Sequence, residues 1–183
     1  MANLEKFEVR NRALAEDKRR DIRLMLINPP QKYFGKSLGF NSYFPVGLLS
    51  LAANVRDICD VKIFDCLIEK FSIFEDGDFT IYGSSDEDIK GTISEFDPHI
   101  VGICIPFSSQ SNNGKRVARL CKEVDLSITI IMGGPHPSVQ YKSLLEEGYC
   151  DYAAVGEGEI SLRDFMCEVS ERLSTSDPVL SVG

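Results

Sequence analysis

Hydrophobic positions along the chain form five short, nearly continuous apolar runs. They lie at residues 22–28, 61–66, 99–107, 127–132 and 150–155. Short apolar runs of this kind predict strands that are buried on both faces. Between them, apolar residues recur every three or four positions, which predicts helices over residues 46–58, 84–96, 111–124, 139–148 and 159–173. This alternation predicts an α/β fold, a doubly wound five-stranded parallel sheet of the Rossmann-like or flavodoxin-like type.

Two segments depart from the alternation of strand and helix. Apolar residues in 70–82 alternate on either side of Asp76-Gly77, a strong turn signal, so a small inserted β-hairpin is predicted there. Residues 29–45 are rich in glycine, proline and aromatic residues, and a long loop is predicted for them.

The charged residues at the amino terminus suggest a separate segment. Residues 1–20 are interpreted as a charged N-terminal helical extension, 21–173 as the α/β domain, and 174–183 as a linker toward a missing C-terminal domain. A homodimer through the N-terminal helix or the hairpin is one hypothesis for self-association.

Composition and charge narrow the function. The chain has 183 residues and a net charge of −8, with 28 acidic against 20 basic residues. This acidic balance argues against binding a phosphate backbone, so no nucleic-acid partner is expected. The sequence has no apolar run long enough for a membrane span and no secretory signal, so a cytoplasmic protein without a membrane partner is expected. Six cysteines without a CxxC pattern predict reduced thiols and no cysteine metal site.

The candidate site lies beyond the carboxyl ends of the predicted strands, where open wound sheets bind ligands. Four of the five ends are rich in glycine, proline or serine. The candidate ligand-binding residues are Asn28, Pro29 and Pro30 after the first strand, Cys104, Ile105, Pro106, Phe107, Ser108 and Ser109 after the third, Gly133, Gly134 and His136 after the fourth, and Gly156, Glu157, Gly158 and Glu159 after the fifth. No catalytic residue and no metal ligand are predicted among them.

Several interpretations of these loops remain open. The loop after the first strand has neither GxGxxG nor GxxxxGK[ST], so it lacks the phosphate cradle of dinucleotide and triphosphate sites. Gly133-Gly134 either admits a large flat ligand to the backbone or serves only a tight turn. Glu157 and Glu159 either simply favour a helix N-terminus or, with the glycines beside them, mark a close approach by a ligand or a partner domain. A single histidine, His136, is a weak signal for a metal.

The motifs "LINPP", "YFPVGLLSLAA", "VKIFDC", "DPHIVGICIPFSS", "IIMGGPHPS" and "AAVGEGE", taken in this order, carry a resemblance. They resemble the N-terminal cobalamin-binding domain of cobalamin-dependent radical S-adenosylmethionine enzymes, over about residues 22–173. The resemblance implies cobalamin as cofactor, with its nucleotide tail in a cleft lined by residues 104–109 and by Gly133-Gly134. It also implies that the aromatic loop 33–44 flanks the corrin or faces a partner domain.

Two departures from related proteins shape this hypothesis. The cobalamin domains of methionine synthase and the mutases carry DxHxxG after the first strand, whose histidine ligates cobalt, whereas this chain has Asn28-Pro29-Pro30-Gln31, a departure that fits the radical-enzyme branch. The CxxxCxxC that holds an iron–sulfur cluster is also absent. The resemblance then implies that S-adenosylmethionine and the cluster bind a downstream radical domain of the same polypeptide, a methyltransferase-like enzyme. This chain alone is not expected to catalyse a reaction.

Two other classes of function are kept as alternatives. One is an interaction or scaffold domain with a degenerate cleft, in which the N-terminal helix and the hairpin are the functional surfaces. The other is a small module that binds a nucleotide or a flavin.

Overall fold

The structure is a computed structural model that describes residues 22–35 and 44–174. The predicted N-terminal helix lies outside the described residues, as do most of the aromatic loop and of the predicted linker. In chain order, the elements are β1 (Arg23–Asn28), β2 (Gln31–Phe34), α1 (Val46–Val55), β3 (Asp60–Asp65), β4 (Ser72–Asp76), β5 (Phe79–Gly83), α2 (Asp86–Phe96), β6 (Ile100–Cys104), α3 (Ser111–Val124), β7 (Thr129–Gly133), α4 (Pro135–Glu146), β8 (Tyr152–Ala153) and α5 (Gly158–Ser174).

The five predicted parallel strands form one sheet in the order β3-β1-β6-β7-β8. All four neighbouring pairs are parallel. The order of strands reverses at β1, which makes this a doubly wound, flavodoxin-like arrangement. The predicted fold class is therefore confirmed, although β8 is shorter than the apolar run at 150–155 that predicted it.

The predicted hairpin is present as β4 and β5, with Gly77 in the turn at φ +62°. Its surroundings differ from the prediction, because part of the predicted loop 29–45 is the strand β2. This strand pairs antiparallel with β5 and completes a second, three-stranded sheet. Lys32 in β2 forms an ion pair with Asp76 in β4 at 2.7 Å. Only four residues long, β2 owes its conformation to a partner far along the chain.

Helices cover both faces of the main sheet, and each face has its own apolar core. On one side, Ile89 of α2, Val117 of α3 and Leu144 of α4 pack against the sheet. On the other side, α1 and α5 bury Leu48 and Met166 against it. None of the helices in ranges 22–35 and 44–174 is long and apolar enough to cross a membrane.

Candidate functional site

Three rows of side chains cross the sheet on the face that α1 and α5 cover. Side chains alternate between the faces of a strand, so every second residue belongs to the same face. The strand register gives a first row of Val61, Leu24, Ile100 and Thr129, a middle row of Ile63, Leu26, Gly102, Ile131 and Tyr152, and a last row of Asp65, Asn28, Cys104 and Gly133. Side-chain volume therefore falls toward the carboxyl ends of β6 and β7.

The missing volume leaves a cavity of about 580 Å³ between the sheet and helices α1 and α5. Gly102, Cys104 and Gly133 line the cavity on the sheet. Larger apolar side chains line its inner part, and we call them the inner wall. The inner wall consists of Leu26, Leu48, Leu51, Ile131, Leu162 and Phe165. The rim comprises Gly134, Pro135 and residues 156–159.

The two glycines at the end of β7, Gly133 and Gly134, have different roles. The backbone of Gly133 lies outside the left-handed region, and a Cβ added there would be 3.5 Å from Ala154 Cβ, an ordinary contact. Gly133 thus leaves space in the cavity. Gly134 has φ +105°, and its added Cβ would lie 3.0 Å from the carbonyl oxygen of Ile105. Gly134 therefore serves the tight turn into α4, whereas the admission of a ligand at Gly133 stays a prediction.

Replacing Gly134 with alanine is expected to destabilise the fold by about 1–3 kcal/mol, because a side chain is strained at this φ and crowds Ile105. The free energy of unfolding from denaturant titration is the measurement. Gly133→Ala is the matched control, and it should cost less because its backbone is unstrained. Equal losses in the two variants would contradict this assignment.

The loop "GEGE" brings α5 close to α1. A Cβ on Gly158 would lie 3.1 Å from Leu51 Cδ2, so glycine here permits the contact between the helices. Ser50 Oγ donates a hydrogen bond of 2.9 Å to Glu159 Oε1. Gly158 thus serves the contact with α1, while Gly156 and Gly158 both line the cavity, and the approach of a ligand or a partner domain stays a prediction.

An ion pair further along fixes α5 to the end of α1. Arg163 donates from Nη1 to Asp57 Oδ1 and from Nη2 to Asp57 Oδ2, both at 2.8 Å. Bidentate pairs of this kind restrict orientation as well as distance. The two helices that cover the cavity are therefore joined at both its rim and its far end.

His136 connects the loops after β6 and β7. Its Nδ1 lies 3.0 Å from Ser108 Oγ, and its backbone N–H donates to the carbonyl of Ile105 at 3.2 Å. Partial desolvation, and then the charge of Lys115, lower the pKa of the imidazole. The described residues contain no group of three potential metal ligands, and His136 is not part of the cavity lining.

The end of β1 is a polar corner beside the cavity. Asn28 Nδ2 and the backbone N–H of Leu67 both donate to Asp65 Oδ1 at 2.9 Å. Within the described part of the chain, the other carboxylate oxygen of Asp65 is buried without a hydrogen-bond partner. Pro29 and Pro30 are buried next to this corner. These residues do not line the cavity.

The predicted site residues thus divide into two groups. Those that line the cavity are Cys104, Gly133, Gly134, Gly156, Glu157, Gly158 and Glu159. Pro106, Phe107, Ser108 and Ser109 follow β6 outside the lining, and Phe107 is 63% exposed. The side chain of Ile105 lies in the core on the opposite face of the sheet. The contact of each with a ligand stays a prediction.

The inner wall and Gly102 are not among the candidate residues that the sequence predicts. The signal for Gly102 was present, because it alternates with Cys104 inside an apolar run and both are small. The inner wall has no comparable signal, since its leucines and phenylalanine look like ordinary helix and strand core.

Comparison with known proteins gives a family match and two curated relatives. Residues 40–166 match the B12 binding domain family. An uncharacterized methyltransferase of Pyrococcus horikoshii is 32% identical over 151 residues, covering 82% of this chain and 30% of the relative. The cytidylyl-2-hydroxyethylphosphonate methyltransferase of Streptomyces wedmorensis is 32% identical over 164 residues, covering 87% of this chain and 30% of the relative. The chain therefore spans about 30% of the length of these relatives.

Among solved structures, the RcsB response regulator of Salmonella typhimurium is 9% identical with a TM-score of 0.46. The alignment covers 85% of this chain and 61% of that chain.

Proposed function

This chain belongs to the B12-binding domain family, and we propose that it holds cobalamin with the nucleotide tail of the cofactor in the cavity beneath α1 and α5. The observation that carries the proposal is that two neighbouring residues of the last row, Cys104 and Gly133, are small and leave the cavity open at the carboxyl ends of the strands. Ligands of wound sheets bind at these ends.

The residues present fit such a group. The cavity of about 580 Å³ is within the size range of small-molecule pockets and is mainly apolar with a few polar groups at its rim. The sheet has no space for a side chain at Gly102, because a Cβ there would lie 2.7 Å from Leu26 Cδ2. Glycine at this position keeps Leu26 in place and the cavity clear.

We further propose that the chain supplies no histidine to cobalt from the loop after β1. Asn28 is hydrogen-bonded to Asp65, and the two prolines that follow have no backbone N–H to donate. His136 lies outside the cavity lining, where it contacts Ser108 and Ile105. These contacts support a mode of binding that relies on the tail rather than on a protein ligand to the metal.

The larger protein is proposed to be a radical S-adenosylmethionine methyltransferase, in which another domain holds S-adenosylmethionine and an iron–sulfur cluster. Support comes from the two curated relatives, both called methyltransferases and about three times as long as the match. Cobalamin, when bound, supplies a transferable methyl group. The residues of this chain bind the tail, orient the cofactor and exclude water from the cavity.

Titration of the 183-residue chain with cyanocobalamin tests the proposal. We expect saturable binding with a dissociation constant in the micromolar range, measured by equilibrium dialysis and by the change in the visible spectrum. Absence of binding at about 100 μM cofactor would mean that less than about 5.5 kcal/mol of binding free energy is available, and it would contradict the proposal.

A further inference from the structure

The inner wall of the cavity presents only apolar side chains. Leu26, Leu48, Ile131 and Leu162 are all at most 9% exposed. Beside them, Phe165 packs edge-on against Tyr152 with ring centroids 4.9 Å apart. Building on the proposed function, we infer that this wall selects corrinoids by their lower base, and that it favours an apolar base such as dimethylbenzimidazole over adenine.

Of the polar side chains that line the cavity, Ser138, Ser161 and Glu159 are already engaged in contacts with neighbouring groups. Ser138 Oγ donates to the carbonyl of Gly134 at 2.9 Å and accepts from the backbone N–H of Gly156 at 3.0 Å. Ser161 Oγ is 3.5 Å from the carbonyl of Glu157, and Glu159 accepts from Ser50. A base that reaches the inner wall therefore meets methyl groups and aromatic edges.

The chemistry of the two bases differs at the edge that enters the cavity. The methyl groups of dimethylbenzimidazole gain from apolar burial, whereas the exocyclic amine and ring nitrogens of adenine lose hydrogen bonds to water. Burying a polar group without a partner is costly, so the adenine form is expected to bind at least about tenfold more weakly. The backbone of the sheet offers adenine few hydrogen-bond partners, because β6 and β7 are each paired with a strand on both sides.

The binding of three corrinoids tests this inference separately from the proposed function. Dissociation constants are measured by dialysis for cyanocobalamin, for its adenine-base analogue pseudocobalamin, and for cobinamide, which lacks the tail. The inference predicts the tightest binding for cyanocobalamin, at least about tenfold weaker binding for pseudocobalamin, and the weakest for cobinamide. Equal constants for the first two would overturn it while leaving the proposed function intact. Failure of all three to bind would overturn the proposed function itself.

A pair of variants tests whether the inner wall is responsible for the preference between the two bases. Ile131→Thr adds a hydroxyl to the wall, and Ile130→Thr makes the same change in the core on the opposite face of the sheet. We expect Ile131→Thr to reduce the preference for cyanocobalamin at least about threefold and Ile130→Thr to leave the ratio unchanged. Circular dichroism confirms that each variant is folded before the ratio is compared. An unchanged ratio in a folded Ile131→Thr would contradict the inference.

Discussion

Replacing Gly133 with leucine is expected to abolish cobalamin binding while the protein stays folded. The new side chain would extend into the cavity from the last row of the sheet, where the proposed tail enters. Its Cβ meets only Ala154 Cβ, at 3.5 Å, and the backbone of Gly133 is not left-handed. Steric overlap with the tail should weaken binding by about a hundredfold or more, because the close packing of the sheet prevents relief by backbone movement.

Equilibrium dialysis with cyanocobalamin measures this loss, and thermal denaturation monitors the fold. Gly91→Leu is the matched control, because Gly91 is exposed in α2 on the other face of the sheet and has open space around an added Cβ. It should bind cobalamin as the unchanged chain does. Gly133→Ala, with one carbon instead of four, should lose an intermediate amount. Normal affinity in a folded Gly133→Leu would remove the cavity from the proposed function.

The order of strands and helices was predictable because each strand of the main sheet is buried on both faces. Such strands appear as apolar runs whatever their neighbours are, as in residues 22–28 and 127–132. Strand β2 could not be found in this way. Two of its four residues, Tyr33 and Phe34, are exposed, and its pairing with β5 joins positions about fifty residues apart. Its conformation follows from tertiary contacts, which a local pattern does not contain.

The candidate site was predictable at its rim and not at its inner wall. Glycines that follow a strand are visible in sequence because few other residues suit a tight turn, as Gly134 illustrates with φ +105°. Leu51 and Leu162 instead face the cavity because α1 and α5 pack over a sheet that has lost volume at Gly102 and Gly133. That arrangement depends on the strand register, which places the small residues side by side.

The start of helix α4 differs from the prediction because of Gly134. The apolar pattern predicted a helix over 139–148, but α4 begins at Pro135, immediately after Gly134. Proline is favoured in the first turn of a helix, where its missing N–H has no partner to lose. The turn at Gly134 therefore sets the start of α4, and it brings Ser138 to the rim of the cavity.

Cobalamin is expected to protect Cys104 from alkylation and to leave Cys167 unprotected. Cys104 is half-buried in the last row of the sheet and lines the cavity, whereas Cys167 is half-buried on α5 outside the lining. Burial raises the pKa of the Cys104 thiol, so little thiolate is present at neutral pH and labelling is slow. A tail in the cavity would cover the sulfur, and the labelling rate should fall about tenfold or more at saturating cofactor.

Mass spectrometry of peptides labelled with iodoacetamide, with and without cyanocobalamin, measures the two rates. The cyano group occupies the upper position on cobalt and limits ligation by free thiols. Below its raised pKa, Cys104 should react about tenfold faster for each unit of pH, because the thiolate is the nucleophile. Cys59, Cys66, Cys121 and Cys150 are buried, and burial raises the pKa of each thiol, so they should react only on unfolding. Equal protection of Cys104 and Cys167 would indicate that the cofactor stabilises the whole fold instead of covering Cys104. If the cofactor did not slow the labelling of Cys104, the tail would have to bind elsewhere.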